Sequence, residues 1–257
     1  PRPGVPAAAR RRHVRRRTLG AMARRPRLVV PGCAHLLLQR GLSAQPVFVD
    51  DTDRQQYLDA LFEAMRARAV VLHAYALRDD GVQLLLRPPS EEALSLAMQA
   101  VGRRYVAAFN RRHGRSGTLW DGRFRAGVVQ DGDALLQALC LVDAAPAGGT
   151  LVPGTQAKTW SSAAHRLGLR ADPLVSDPPE YWRLGNTPFE REAAYGRLLA
   201  HGLDAAASRR IEHAAANGWA IGSPQFLAEI AQRLGRPVRP RGRGRPPRAL
   251  PRDKSRD

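Results

Sequence analysis

Residues 73–88 read HAYALRDDGVQLLLRP, and the fold is decided by how this stretch is parsed. Two apolar, partly alternating runs, VLHAYAL and VQLLL, are separated by Arg78-Asp79-Asp80-Gly81. Asp-Gly between two such runs is a strong local hairpin signal, so the stretch predicts two antiparallel strands. Alternate residues of a strand share one face, which groups Gly81 with Gln83 at the opening of the second strand.

Upstream, Leu28 to Gln39 (LVVPGCAHLLLQ) reads as a strand interrupted at Pro31-Gly32. From Asp51 a helix is expected, with Leu58, Leu61, Phe62 and Met65 at helical spacing and acidic residues in its first turn. Downstream, Ser90 is placed to cap a long helix whose apolar residues Leu94, Met98, Val101, Tyr105 and Phe109 keep the helical period through Arg112, with Gly114 as its stop. A short strand, RAGVVQ, follows, then a helix from Asp133 to Ala145 that stops before Pro146. The order β-α-β-β-α-β-α defines an α+β, ferredoxin-like split domain: an antiparallel sheet with helices on one face.

This domain is assigned to residues 28–147. Residues 148–188, rich in Gly, Pro, Ser and Thr, read as a linker with one short helix near Trp160. A small helical appendage is expected over 189–235, with helices over 189–216 and 223–234, the second capped by Ser223 and opened by Pro224.

The net charge of +18 is unevenly placed. Residues 1–27 hold ten arginines and no acid, residues 233–257 hold ten basic residues against two aspartates, and the body between is balanced. Such basic tails, expected to be disordered over 1–27 and 236–257, suit a polyanion, most often nucleic acid. The segment from Met22, MARRPRLVVPG, reads like a natural start, which leaves the first 21 residues little functional weight. Cys33 and Cys140 are too few for a disulfide framework or a cysteine cluster, and the expected location is the cytoplasm. No run of about 18 apolar residues predicts a membrane span.

Within the body, Arg103, Arg104, Arg111, Arg112, Arg115, Arg123 and Arg125 form a basic patch opposed in sequence only by Asp121. Gly114, Ser116, Gly117 and Trp120 interleave with it, the pattern of a loop that approaches a phosphate backbone, with Trp120 either packing inward or stacking on a base. A solvated helix face is the plainer reading. At the C-terminus, Arg243-Gly244-Arg245-Pro246 matches the core of an AT-hook, a segment that lies in the narrow A·T minor groove.

Several strings together resemble the insertion-sequence-200-like, single-tyrosine (HUH-type) transposases, REP-associated branch. They are MARRPRLVVPG, QRG at 39–41, FVDDTDRQQYL, HAYAL, GRRYVAAFNRRHGRSGTLWDGRF, WSS at 160–162, DPLV at 172–175 and IGSPQF with GRPV and GRGRP, and they run from residue 22 to 247. The resemblance implies DNA strand cleavage and joining by three elements. Two histidines on a strand hold a divalent metal, Mg²⁺ or Mn²⁺; a tyrosine on the last helix attacks the phosphate; an amide four residues later completes the metal shell. It also implies a DNA partner, hairpin or single-stranded, and a homodimer.

All three elements are replaced. Gly81 and Gln83 stand where the histidines belong, Leu141 at the tyrosine and Ala145 at the amide. No catalytic residue, metal site or cofactor is therefore expected, and the reading is a DNA-binding protein with a degenerate transposase site. Tyr105 lies on an apolar helical stripe and is expected in the core. His73 is expected in the sheet, and His113 at a helix end, capping it or touching phosphate. Asp79 and Asp80 are expected as turn residues. Two alternatives stay open: an active metal-dependent nuclease with relocated groups, and an RNA-binding module, since the β-α-β-β-α-β order is shared with RNA-recognition domains.

Overall fold

Strands that are apolar at nearly every position must be covered on both sides, and they are. The computed structural model describes residues 27–145 and 160–240. Its sheet has four antiparallel strands, β1 (Ala34–Arg40), β2 (Val71–Arg78), β3 (Gly81–Arg87) and β4 (Arg125–Val129), in the order β2-β3-β1-β4. Helices α1 (Asp51–Ala67) and α2 (Ala93–Arg112) make the two crossovers, and α3 (Asp133–Ala144) follows β4, so the expected α+β split order is present.

The expectation of helices on one face is corrected. On the first face α1 and α2 pack over Leu37, Val82, Leu84 and Leu86. On the second, Leu36, Ala74, Ala76 and Leu85 are buried against α3 and the C-terminal helices α6 (Pro188–His201) and α7 (Ala205–Ala216). Leu36 and Leu37 are neighbours in sequence, lie at 0% exposure on opposite faces, and each contributes about 2 kcal/mol of burial. A half-solvated sheet would alternate apolar and polar residues; residues 72–77 and 81–86 are buried throughout.

Gly127 shows how closely α7 lies on the sheet. A Cβ there would stand 2.4 Å from the Trp219 carbonyl oxygen and 3.1 Å from the Ala215 Cα, so this backbone approach requires glycine.

The segment expected to be a linker contributes, over its described part, to the second layer. Trp160–Ser162 line the outer edge of β2, with Leu77 N–H donating to Trp160 O at 2.8 Å and Ser162 N–H to Tyr75 O at 3.0 Å. Ile221 does the same for β4, donating to Val128 O and accepting from Gln130 N. Both sheet edges are thus capped by irregular chain, which removes an open template for aggregation. Two short helices, α4 (Ala163–Arg166) and α5 (Pro179–Trp182), lie between. Arg166, at 0% exposure, pairs with Asp143 of α3 at 2.8 Å and with Asp177 at 3.1 Å, and also donates to the His73 carbonyl. The Tyr195 hydroxyl donates to Asp143 at 2.6 Å.

The single helix expected over 189–216 is two. Gly202, at φ 72°, ends α6, and Asp204 caps α7 by accepting from Ala207 N. At the start of α6 the capping box of Thr187 and Glu190 is complete, with Pro188 in the first turn. Helix α8 (Pro224–Leu234) begins as its sequence implies, with Ser223 accepting from Phe226 N. Ser90, expected as the N-cap of α2, accepts from Ala93 N, but the helix itself starts at Ala93, so the cap position falls to Glu92. Phe62 of α1, expected on the apolar stripe, is 36% exposed.

Candidate nucleic-acid interface

The hairpin register pairs Arg78 with Gly81, so Asp79 and Asp80 form the two-residue loop and Gly81 is the first residue of β3. None of these three has a positive φ, so the glycine does not serve a left-handed turn. Its role is close approach: a Cβ at Gly81 would meet the Gln39 carbonyl oxygen at 2.5 Å and the Arg40 Cα at 3.2 Å. Gln83 lies on the same face, 8% exposed, between Leu38 and Ala76, and its buried Oε1 has no hydrogen-bond partner among the described residues.

Leu141 and Ala145 pack, partly buried, against the apolar cluster of that face. Together with Arg78, Leu198, Leu203 and Glu212 they line a cavity of about 300 Å³ between α3 and the α6–α7 pair. These residues do not fit a divalent metal. Gly81 offers no side chain, Gln83 one neutral oxygen, and Leu141 and Ala145 none. No group of three or more His, Cys, Asp or Glu is placed for a metal among the described residues.

Tyr105 is 1% exposed and its hydroxyl donates to the Val47 carbonyl. Its ring meets Tyr57 at 5.2 Å and Phe109 at 5.9 Å, and burial pushes the phenol pKa far above its ordinary value. A phenol held in this way is a core residue. Among the histidines, His73 is buried, with Nδ1 donating to the Ser176 carbonyl at 2.7 Å, and burial lowers its pKa. His113 ends α2 and turns inward to Asp53 at 2.9 Å, so it caps and pairs rather than facing solvent phosphate.

The basic patch divides in two. Arg112 donates to both Asp50 and Asp53, residues of the α1 N-terminus about sixty positions away. This pairing lowers the Asp50 pKa to about 2 and raises that of Arg112. The Asp53 pKa is also lowered; its burial opposes ionisation, and hydrogen bonds from His113, the Val49 amide and Arg112 outweigh it. Arg104 pairs with Glu63, and Arg115 reaches Gln45 at 3.3 Å. Trp120 is 6% exposed among Tyr57 and Tyr105, so of its two expected roles the structure places it in the core.

Arg103, Arg111 and Arg123 are exposed, with no carboxylate within 4 Å among the described residues, and so is Arg125. Arg27, half-buried, likewise has no carboxylate within 4 Å among the described residues, and its guanidinium lies 3.9 Å over the Phe124 ring. In the sequence Arg27 is indistinguishable from the N-terminal tail, except that it stands directly before the first apolar run. Arg243 and Arg245 lie outside the described residues.

No family model and no curated protein matches the chain. Among solved structures it is similar to a REP-associated tyrosine transposase bound to a REP hairpin, at 12% identity and TM-score 0.47, over 62% of this chain and 93% of that one. It is also similar to a candidate transposase of Deinococcus radiodurans R1, at 22% identity and TM-score 0.34, over 42% of this chain and 86% of that one. No helix among the described residues is long and apolar enough to cross a membrane.

Proposed function

We propose that this chain is a DNA-binding protein on an insertion-sequence-200-like transposase scaffold, which holds a hairpin or single strand without cutting it. One contrast carries the reading. Exposed arginines at 103, 111 and 123 with no carboxylate partner among the described residues remain on the body, whereas the four positions that the resemblance assigns to chemistry hold Gly81, Gln83, Leu141 and Ala145. Guanidinium groups neutralise phosphates and need no metal to do so. Cleavage needs a nucleophile and a polarised phosphate, and those four positions offer a side chain for neither.

The test is incubation of the full chain with an end-labelled single-stranded hairpin in Mg²⁺ or Mn²⁺. The expected outcome is a salt-sensitive complex with no cleavage and no covalent adduct. Metal-dependent nicking would instead establish an active nuclease with relocated groups. Preferential capture of an RNA competitor of the same sequence would move the assignment to RNA.

A further inference from the structure

We infer that Arg27, Arg123 and Arg125 form a phosphate site at the entry to β4, built to take the phosphodiester of a nucleic-acid backbone. The source of that phosphate rests on the proposed DNA role; the site itself rests on the following geometry.

Arg27 is not a loose surface residue. Its Nε donates to the Phe124 carbonyl at 3.5 Å, its Nη1 to Ser95 Oγ of α2 at 3.4 Å, and its guanidinium stacks on the Phe124 ring. These contacts orient the group and leave Nη2 without a partner among the described residues. Arg123 and Arg125 flank Phe124 in the chain and are both exposed.

Arg27 is thus held against the one residue that separates Arg123 from Arg125 in the chain, and the electrostatics agree with that placement. The Arg27 pKa is lowered first by burial and then by the positive charges of Arg123 and Arg125. No carboxylate within 4 Å relieves any of the three among the described residues, although Arg54, Arg78, Arg87, Arg104, Arg112 and Arg166 each have one. Asp121, the nearest acid in sequence, forms no such pair. Three like charges gathered around a fixed stack and left unbalanced lack an anion. Guanidinium forks match the several acceptor oxygens of a tetrahedral phosphate better than they match a single acceptor.

The test uses the full chain and the variants Arg125→Gln and Arg27→Lys. In thermal unfolding at constant ionic strength, replacing chloride by inorganic phosphate should raise the wild-type midpoint by about 2 °C, a shift of the size that modest ligand stabilisation produces. Arg125→Gln should lose that shift and, freed of one repulsion, melt slightly higher than wild type in chloride. For hairpin DNA, Arg125→Gln should weaken binding about threefold to tenfold and make the log–log salt slope shallower by about 1, the loss of one phosphate contact. Arg27→Lys keeps the charge but loses fork and stack, so affinity should fall about threefold with the slope retained.

Unchanged DNA affinity in both variants, with wild type binding well, overturns the site and leaves the proposed function standing. A phosphate shift confined to the wild type, with no DNA binding by any form, upholds the site for free phosphate and overturns the DNA reading.

Discussion

Gly81 of β3 is packed so closely on Gln39 of β1 that a Cβ on the glycine would stand 2.5 Å from the Gln39 carbonyl oxygen. The contact is with backbone, which cannot rotate aside as a flexible side chain can. The position that would carry a metal ligand in the resembled family is therefore closed by the sheet itself, and restoring a ligand is a packing problem before it is a chemical one.

The double substitution Gly81→His, Gln83→His should consequently lose stability and gain little metal affinity. Forcing a side chain into a closed site costs on the order of 1–3 kcal/mol. Urea unfolding should report that loss, and calorimetric titration with Mn²⁺ should show no site tighter than in wild type. A stable double variant with a new tight Mn²⁺ site would mean that β1 yields easily and that the site is merely unfilled.

Arg111 and Arg112 are adjacent in sequence and should behave as opposites. Arg112→Ala strips Asp53, at 0% exposure, of one of its donors, and a clear loss of stability is expected, softened by the exposure of Arg112 itself. Arg111→Ala should change stability by less than about 0.5 kcal/mol. In DNA binding the order reverses: Arg111→Ala should flatten the salt slope by about 1, and Arg112→Ala should leave it nearly unchanged. Denaturant curves and binding isotherms at three salt concentrations decide it.

Arg166→Met should loosen the second layer, because it leaves Asp143 charged, buried and short of a cation. Breaking one side of a buried pair costs about 3–5 kcal/mol. Adding Asp143→Asn should recover part of that loss, since the stranded charge is then gone. If the double variant is as unstable as the sum of the two singles, the pair is not coupled as the geometry implies.

Acid should weaken the fold well above the carboxylate range. His35 lies on β1 with Nδ1 donating to the Cys33 carbonyl at 2.9 Å and Nε2 accepting from the Val30 amide at 3.0 Å, which requires the neutral ring. Burial pushes its pKa from 6.5 down to about 4. Between those values the unfolded chain takes up a proton that the folded chain does not, so stability present above pH 6.5 is lost as the pH falls to about 4. Buried His73, with a lowered pKa of its own, adds to the same slope. The loss through His35 is up to about 3 kcal/mol. Urea midpoints at pH 7 and pH 4.5 measure it, and His35→Gln should shrink the difference even if it lowers both values.

Elements β1 to β4, α1 to α3 and the start of α8 follow from local signals: apolar period, the hairpin at Arg78–Gly81, and Ser223 as a cap with Pro224 at the first turn. Those signals act within a few residues, so the chain order carries them without knowledge of distant neighbours. That Gly81, Gln83, Leu141 and Ala145 carry no nucleophile and no anionic or imidazole ligand is legible for the same reason, since it is a property of residue type. Partnership across the fold was not readable. Seven arginines clustered between 103 and 125 look alike in sequence, yet Glu63, Asp50 and Asp53 arrive from α1 and its cap to neutralise Arg104 and Arg112, while Arg103, Arg111, Arg123 and Arg125 meet no carboxylate among the described residues. Asp143 and Arg166 form a buried ion pair although one was read as helix and the other as linker. Nor does composition tell why Gly81 is glycine, because the reason is a carbonyl forty-two residues earlier. Local propensity and residue chemistry belong to the chain. Charge neutralisation, burial and close approach depend on distances between strangers in sequence, and only the folded sheet with its two helical layers sets those.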